Sequence, residues 1–241
     1  MGMFDETKNP RLFSHRGFTP VAPENSLASF TAAGRLGYWG IETDIRKSKD
    51  GVLVCCHDTM LTRMFGVPLK VEETDWAELR RQTFQKGNGL DKWPLELLRI
   101  PTFDEYLDIC QRFHCVPFLE TKGEVVADVI KRLEERKMIG EAVFSSIIID
   151  HIREARRLNK EIFIHHIFST PELMVELAEL GNSSLSYNYP NPWDAPVDLL
   201  EETHRRGVRY CLRAGDKLPN IKKMVELKVD YIPTNCIAPW E

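Results

Sequence analysis

The sequence predicts an α/β chain folded as a TIM-type (β/α)8 barrel with a small insertion after the second strand. Three observations predict it. Short apolar runs alternate with amphipathic stretches roughly eight times over 241 residues, which is the pattern and size of such a barrel. Polar residues close several of the apolar runs, as a barrel rim requires: His15-Arg16, Glu42-x-Asp44, His57 and Glu120-x-Lys122. The Gly-rich phosphate fingerprint of an open doubly wound sheet is absent after the first strand, which continues HRGFTPVAPEN. That lowers the rival fold without removing it.

In chain order, the run Leu12–Ser14 is the first strand, and a helix follows over Ser26–Arg35, with Asn25 placed to cap it and Gly37 just past its end. Gly40–Ile45 is the second strand. Asp50-Gly51 marks a tight turn, so Val52–Cys56 reads as a hairpin arm. Residues 59–100 break the alternation and read either as an insertion over the C-terminal rim of the barrel or as an irregular surface loop. A short helix near Asp75–Gln82 carries Asp75 and Glu78 in the spacing of a capping box. Beyond it, strands at Val116–Thr121, Ala142–Ser146, Ile162–Ile167, Ser184–Tyr187, Val208–Leu212 and Tyr231–Pro233 alternate with helices at Phe103–Arg112, Val125–Glu135, His151–Leu158, Pro171–Leu180, Asp198–Arg205 and Ile221–Glu226. Thr170-Pro171-Glu172 supplies a cap, a proline at the first helical position and an acid in the first turn.

With 43% hydrophobic and 28% charged residues, the composition suits one large or two small domains with a sizeable core, and residues 1–241 are read as a single catalytic barrel domain. The net charge of −4 provides no basic footprint, which argues against nucleic acid as a partner. No apolar run reaches the roughly 18 residues of a membrane span. The N-terminus shows no basic-then-apolar leader, and Glu6 breaks the acylation pattern after Gly2. The expectation is a soluble, cytoplasmic protein. The six cysteines show no C-x-x-C and no zinc spacing to His, and they read as reduced, small buried hydrophobes.

The chemistry concentrates early. Glu42 and Asp44 lie two apart, so on a strand both carboxylates share one face. On the inward face of a barrel they repel unless a cation lies between them, and oxygen donors suit Mg²⁺ or Ca²⁺. On an exposed edge strand they would merely be solvated. Glu120 and Lys122 repeat the spacing, offering a third carboxylate and a cation for a phosphate. His15 and His57 end apolar runs and can exchange protons near neutral pH, while Arg16 offers a bidentate fork. Alternation points Asp58 away from the site, toward capping the next turn. His114, His151 and His204 read as solvated; one of His165 and His166 must face the interior, as a substrate contact or as a satisfied core histidine.

In this order, H-R-G, P-E-N, E-x-D, D-G, H-D and L-x-R through Arg63, then IPTFDEYL at Ile100–Leu107 and the LETKG strand, resemble the glycerophosphodiester phosphodiesterase family, a barrel shared with phosphatidylinositol-specific phospholipases C. The similarity runs from about residue 12 to 123. It implies a phosphoric diester hydrolase, with His15 and His57 as the acid–base pair and Glu42, Asp44 and Glu120 holding one divalent cation, Mg²⁺ or Ca²⁺. Arg16 and Lys122 contact the phosphate, and Glu24 and Asn25 support the site on the substrate side. The implied reaction releases glycerol 3-phosphate and an alcohol, by attack of water or of the glycerol 2-hydroxyl. The second half departs from the family pattern. Cys211-Leu212-Arg213-Ala214 stands where W-T-x-[ND] is usual, and Ile232-Pro233-Thr234-Asn235 where I-x-T-D-x-P is usual. Two alternatives remain: a lysophospholipid diesterase using Met60, Leu61, Met64, Phe65 and Val67 as an apolar entry, and a silent barrel that only binds a phosphodiester.

Overall fold

The computed structural model describes Met3, residues 10–213 and residues 215–239. The leader and acylation reading therefore falls almost wholly outside the described residues, as does Ala214. Among the described residues no helix is long and apolar enough to cross a membrane.

The elements follow the alternation. Strands are β1 (Leu12–Ser14), β2 (Gly40–Lys47), β3 (Leu53–Cys55), β4 (Val116–Thr121), β5 (Val143–Ser146), β6 (Phe163–His166), β7 (Ser183–Tyr187), β8 (Arg209–Leu212) and β9 (Ile232–Thr234). Helices are α1 (Leu27–Arg35), α2 (Thr62–Phe65), α3 (Trp76–Leu79), α4 (Phe103–Phe113), α5 (Val126–Glu135), α6 (Ile149–Leu158), α7 (Pro171–Leu180), α8 (Val197–Arg205) and α9 (Leu218–Glu226). The sheet runs β8-β7-β6-β5-β4-β2-β1-β9 with every pair parallel, and β3 pairs antiparallel with β2 outside this path. The Asp230 amide donates to the Tyr210 carbonyl at 3.0 Å, bringing β8 beside β9 and drawing the barrel nearly closed.

Strand alternation sorts the side chains into an outer and an inner set. Ile41, Ile45, Leu119, Phe144 and Ile164 face outward into the layer shared with the helices. Each fully buried side chain of this kind contributes about 1.5–3 kcal/mol. Phe13, Phe118, Val143, Phe163, Cys211 and Tyr231 face inward and fill the lower barrel, with the Phe13 and Phe118 rings stacked at 4.4 Å. The next inward positions up the strands are His15 above Phe13 and Glu120 above Phe118. The aromatic plug is thus the floor of the site.

Several local expectations need correction. Ser26, not Asn25, caps α1, because Ser26 has the extended backbone that a cap needs while Asn25 is left-handed at φ 51°. Ser26 and Ser29 cap each other reciprocally. No Asp75 side-chain bond caps α3. Asp50, in the β2–β3 turn, accepts from the Trp76 amide at 2.9 Å instead, and the helix is a single turn rather than reaching Gln82. His151 is buried, because α6 starts two residues earlier than expected and turns this ring onto Thr121 and Ser146. Five cysteines are buried, but Cys236, past the end of β9, is exposed.

Residues 59–100 form a small core of their own around Leu61, Phe65, Val71, Leu79 and Phe84. They are tied to the β1–α1 loop by Asn88 to the Thr19 carbonyl and Trp93 to the Val21 carbonyl, both at 2.9 Å, and to β2 by the Glu72–Arg46 ion pair.

Candidate active site

The parallel register of β2 against β4 sets Asp44 beside Glu120 and Glu42 beside Phe118. Alternation then turns Glu42, Asp44 and Glu120 to the inside, where carboxylate oxygens of all three lie within 4.8 Å of one another. Glu42 and Asp44 are 3% and 0% exposed, so water does little to screen their repulsion. Burial, then Asp44 and Glu120, push the Glu42 carboxyl well up from its ordinary range. Burial acts the same way on Asp44, but Arg16, Lys122 and an Asn25 hydrogen bond outweigh it and hold that carboxyl low.

Two backbone features of the β1–α1 loop bring Arg16 in. Arg16 is left-handed at φ 59°, and its amide donates to Glu42 Oε2 at 2.8 Å. Its side chain pairs with Asp44 at 3.3 Å and Glu24 at 3.1 Å. Gly17 is at φ 80°, and a Cβ there would sit 2.4 Å from Ser29 Oγ, so only glycine lets the loop lie on α1. Asn25, 2% exposed, spends its side chain on Asp44, Thr43 and the Asp44 amide. It positions the carboxylate. Lys122 pairs with Glu120 and with Asp44.

His15 and His57 are each held at Nδ1. His15 bonds Asn235 Oδ1 at 2.8 Å, and Asn235 is in turn gripped by Asp216, which accepts from its backbone and side-chain amides. Burial and the Arg16 charge lower the His15 pKa, against the raising effects of Asn235, Asp44 and Glu120. His57 bonds Asp58 Oδ1 at 2.7 Å, and Arg46 holds the His57 carbonyl. The expectation that Asp58 points away is corrected: His57 lies beyond the last residue of β3, so strand alternation no longer governs its neighbour. Asp58 also pairs with Arg63, which forks onto Glu24 at 2.6 and 3.0 Å. Pairing with Arg63 and Arg16 overcomes burial and lowers the Glu24 carboxyl.

The nine candidate residues therefore fall on one end of the barrel, at the C-terminal ends of β1, β2 and β4 and on the adjoining loops. An open cleft of about 300 Å³ is lined by His15, Arg16, Glu24, Met64, Asn88 and Asn235 among others. Sequence reasoning missed the roles of Asn235 and Asp216, which come from the departing second half, gave Asp58 only the capping of the next turn, and gave no role to Arg63. Arg63 does stand in the L-x-R motif, and the H-D dipeptide signalled Asp58. His165 is a satisfied core histidine, bonded to Ser184 and Tyr231. Of the five apolar residues weighed as a lipid entry, Leu61 and Phe65 are buried in the insertion's core and Met60 is exposed.

The comparisons with known proteins agree with this geometry. The model of the Glycerophosphoryl diester phosphodiesterase family matches residues 15–238. A glycerophosphodiester phosphodiesterase of Caldanaerobacter subterraneus is 25% identical over 231 residues, covering 93% of each chain. A probable glycerophosphodiester phosphodiesterase 2 of Mycobacterium tuberculosis is 35% identical over 97 residues, 40% of this chain and 37% of that protein. The alignments with this relative and with a mouse one cover less than half of those proteins. The same fold occurs in an Oleispira antarctica phosphodiesterase solved with its product sn-glycerol-3-phosphate (TM-score 0.80, 23% identity, 94% of this chain and 93% of that one). It recurs in a Thermotoga maritima glycerophosphodiester phosphodiesterase (TM-score 0.75, 24% identity, 95% and 96% covered). The chain belongs to the glycerophosphoryl diester phosphodiesterase family, whose members are phosphoric diester hydrolases.

Proposed function

We propose that this protein hydrolyses glycerophosphodiesters to glycerol 3-phosphate and an alcohol, using one divalent cation and the histidines His15 and His57. The observation that carries the reading is the buried trio Glu42, Asp44 and Glu120 flanked by Arg16 and Lys122. The residues fit a hard cation: the donors are all carboxylate oxygens, and Glu42 Oε1 is buried without a partner. Glu42, Asp44 and Glu120 would hold Mg²⁺ or Ca²⁺. When bound, the ion would neutralise the trio and offset negative charge on the phosphate.

The protein groups supply the rest. Arg16 and Lys122 offer donors to the phosphate oxygens, where charge grows as the bond breaks. Glu24, braced by Arg63, and Asn25, bonded to Asp44, keep those groups in register. His15, held at Nδ1 by Asn235, and His57, held at Nδ1 by Asp58, would share the proton transfers, one taking the proton from the attacking oxygen and the other giving one to the departing alcohol. A catalytically silent binding barrel has less support, because no acid–base or carboxylate position is lost.

Purified protein incubated with glycerophosphocholine and Mg²⁺ or Ca²⁺, followed by phosphorus NMR, should convert the diester resonance to glycerol phosphate. EDTA should stop the conversion and either ion restore it. A transient cyclic phosphate would mark attack by the glycerol 2-hydroxyl, and direct conversion would mark attack by water. Full activity after chelation would overturn the metal assignment, and no turnover across several diesters would overturn the reading.

A further inference from the structure

Two clefts meet at His15 and Asn235. One lies over the β1–α1 loop and the insertion. The second, about 340 Å³, lies over the ends of β8 and β9 and the first turn of α9, and is lined by Pro190, Arg213, Asp216, Lys217 and Asn220 among others. Its charge differs from what a neutral or cationic alcohol would require.

Arg213 lies one residue past the end of β8 and lines this cleft at its mouth. Its guanidinium lies over the Phe168 ring at 5.1 Å, a contact that holds the cation without neutralising it. Asp216 is the one carboxylate among the described lining residues. It accepts from the Thr234 hydroxyl at 3.1 Å, the Asn235 amide at 2.6 Å and the Asn235 side chain at 2.7 Å. It is committed to fixing Asn235, the partner of His15. No carboxylate among the described residues lies within ion-pair distance of Arg213 or Lys217. No side chain caps α9, and the positive end of this helix begins at Lys217, on the wall of the same cleft.

Solvated surface cations are ordinary, but these two stand on a cleft whose inner end is a candidate catalytic histidine. A choline head group would meet repulsion there, and a glycerol head group would leave both cations unused. We infer that the cleft over β8 and β9 receives the alcohol half of the substrate and selects alcohols bearing a second anionic group, a phosphate or a carboxylate, through Arg213 and Lys217. This rests on the phosphodiesterase reading and adds to it the class of alcohol.

The test compares kcat/KM, with Mg²⁺ or Ca²⁺ present, for diesters of glycerol phosphate with glycerol, choline, glyceric acid and glycerol phosphate. The expected order puts the anionic alcohols about tenfold or more above glycerol, as one or two charge-assisted hydrogen bonds allow, with choline last. A gain for glyceric acid alone or for glycerol phosphate alone identifies the carboxylate or the phosphate as the anion. Both side chains are exposed, so R213A, K217A and the double variant should fold, which thermal melting checks. Each single variant should cut the anionic-to-glycerol ratio about fivefold, and K217E should invert it. Equal rates across the four alcohols, or a preference that survives R213A/K217A, overturn this inference while leaving the phosphodiesterase reading standing. No turnover of any diester overturns both.

Discussion

The ends of β1, β2 and β4 carry charge that is buried and paired. Glu24, Arg16, Asp44, Lys122 and Glu120 form a chain of contacts continued through Arg63 to Asp58 and His57. The inner walls of β5, β6 and β7 carry Ser145, His165, Ser184 and Ser186, all buried and bonded through hydroxyls or an imidazole. Along this part of the rim, charge among the described residues returns past the end of β8, at Arg213, Asp216 and Lys217, where it is exposed. On the proposed reading, the contrast separates two jobs. A reacting phosphate needs fixed charges in low dielectric, so that half of the rim is dense and cross-braced. An alcohol needs a wall of the right shape and sign, which solvent-exposed side chains can provide without disturbing the braced half.

The largest effect expected on this contrast comes from the buried charges. Glu42→Gln should lower kcat/KM about 10³-fold and weaken calcium or magnesium binding in calorimetry. The melting temperature of the metal-free protein should stay at or above that of the wild type. Gln can still accept from the Arg16 amide, and the change removes a carboxylate that burial, Asp44 and Glu120 all disfavour. His15→Ala should lose about 10²–10⁴-fold in rate while metal binding is kept. A Glu42→Gln protein that melts early but retains activity would mean that the trio is structural rather than functional.

The division also explains what could be read in advance. Period-two spacing makes E-x-D and E-x-K legible as shared-face pairs, and the register of β2 and β4 then forces the trio together. The strand and helix pattern was legible to within a few residues, because each strand keeps its apolar face to the helices. What failed lay where the chain leaves regular structure. Asp58 follows a histidine past the end of β3, so alternation says nothing about it. Asn25 has the side chain of a cap but a left-handed backbone, and its amide is committed to Asp44. The cap of α3 comes from Asp50, whose contact with Trp76 spans 26 positions of sequence, a contact no local pattern encodes. Asn235 reaches His15 across 220 positions of sequence.

An intermediate effect is expected from glycine, one on each side. Gly17 and Gly207 both have positive φ, 80° and 76°. A Cβ on Gly17 meets Ser29 at 2.4 Å, whereas one on Gly207 meets nothing within 4 Å. Gly207→Ala should cost about 1 kcal/mol, from conformation alone. Gly17→Ala adds a clash with the α1 capping serine and should cost about 3 kcal/mol or more. Urea unfolding of both variants measures the difference. Equal costs would show that the β1–α1 loop is no more tightly braced than the loop before β8.

The smallest effect tests whether the uncharged wall must stay uncharged. His165 is buried against Phe118, Tyr231 and Ser184, and burial, with some help from His166, lowers its pKa to about 3. Unfolded, the ring returns to its ordinary value near 6.5. Between those values the unfolded chain binds a proton that the folded chain refuses, so stability rises with pH across this window. The contribution is fully present above about pH 6.5 and is lost as pH falls, at no more than about 1.4 kcal/mol per unit. The depressed carboxyls Glu24, Asp44 and Asp58 act in a lower window, since their loss begins only near the ordinary carboxylate range of about pH 4. His165→Gln keeps a side chain able to bond Ser184 and Tyr231 but cannot titrate. Its stability in urea should therefore fall less steeply than the wild type between pH 6.5 and 5, whatever its offset at pH 7. Parallel slopes would mean that the ring accepts its proton in place, and that the wall beneath β5, β6 and β7 tolerates the charge that the braced half is built to carry.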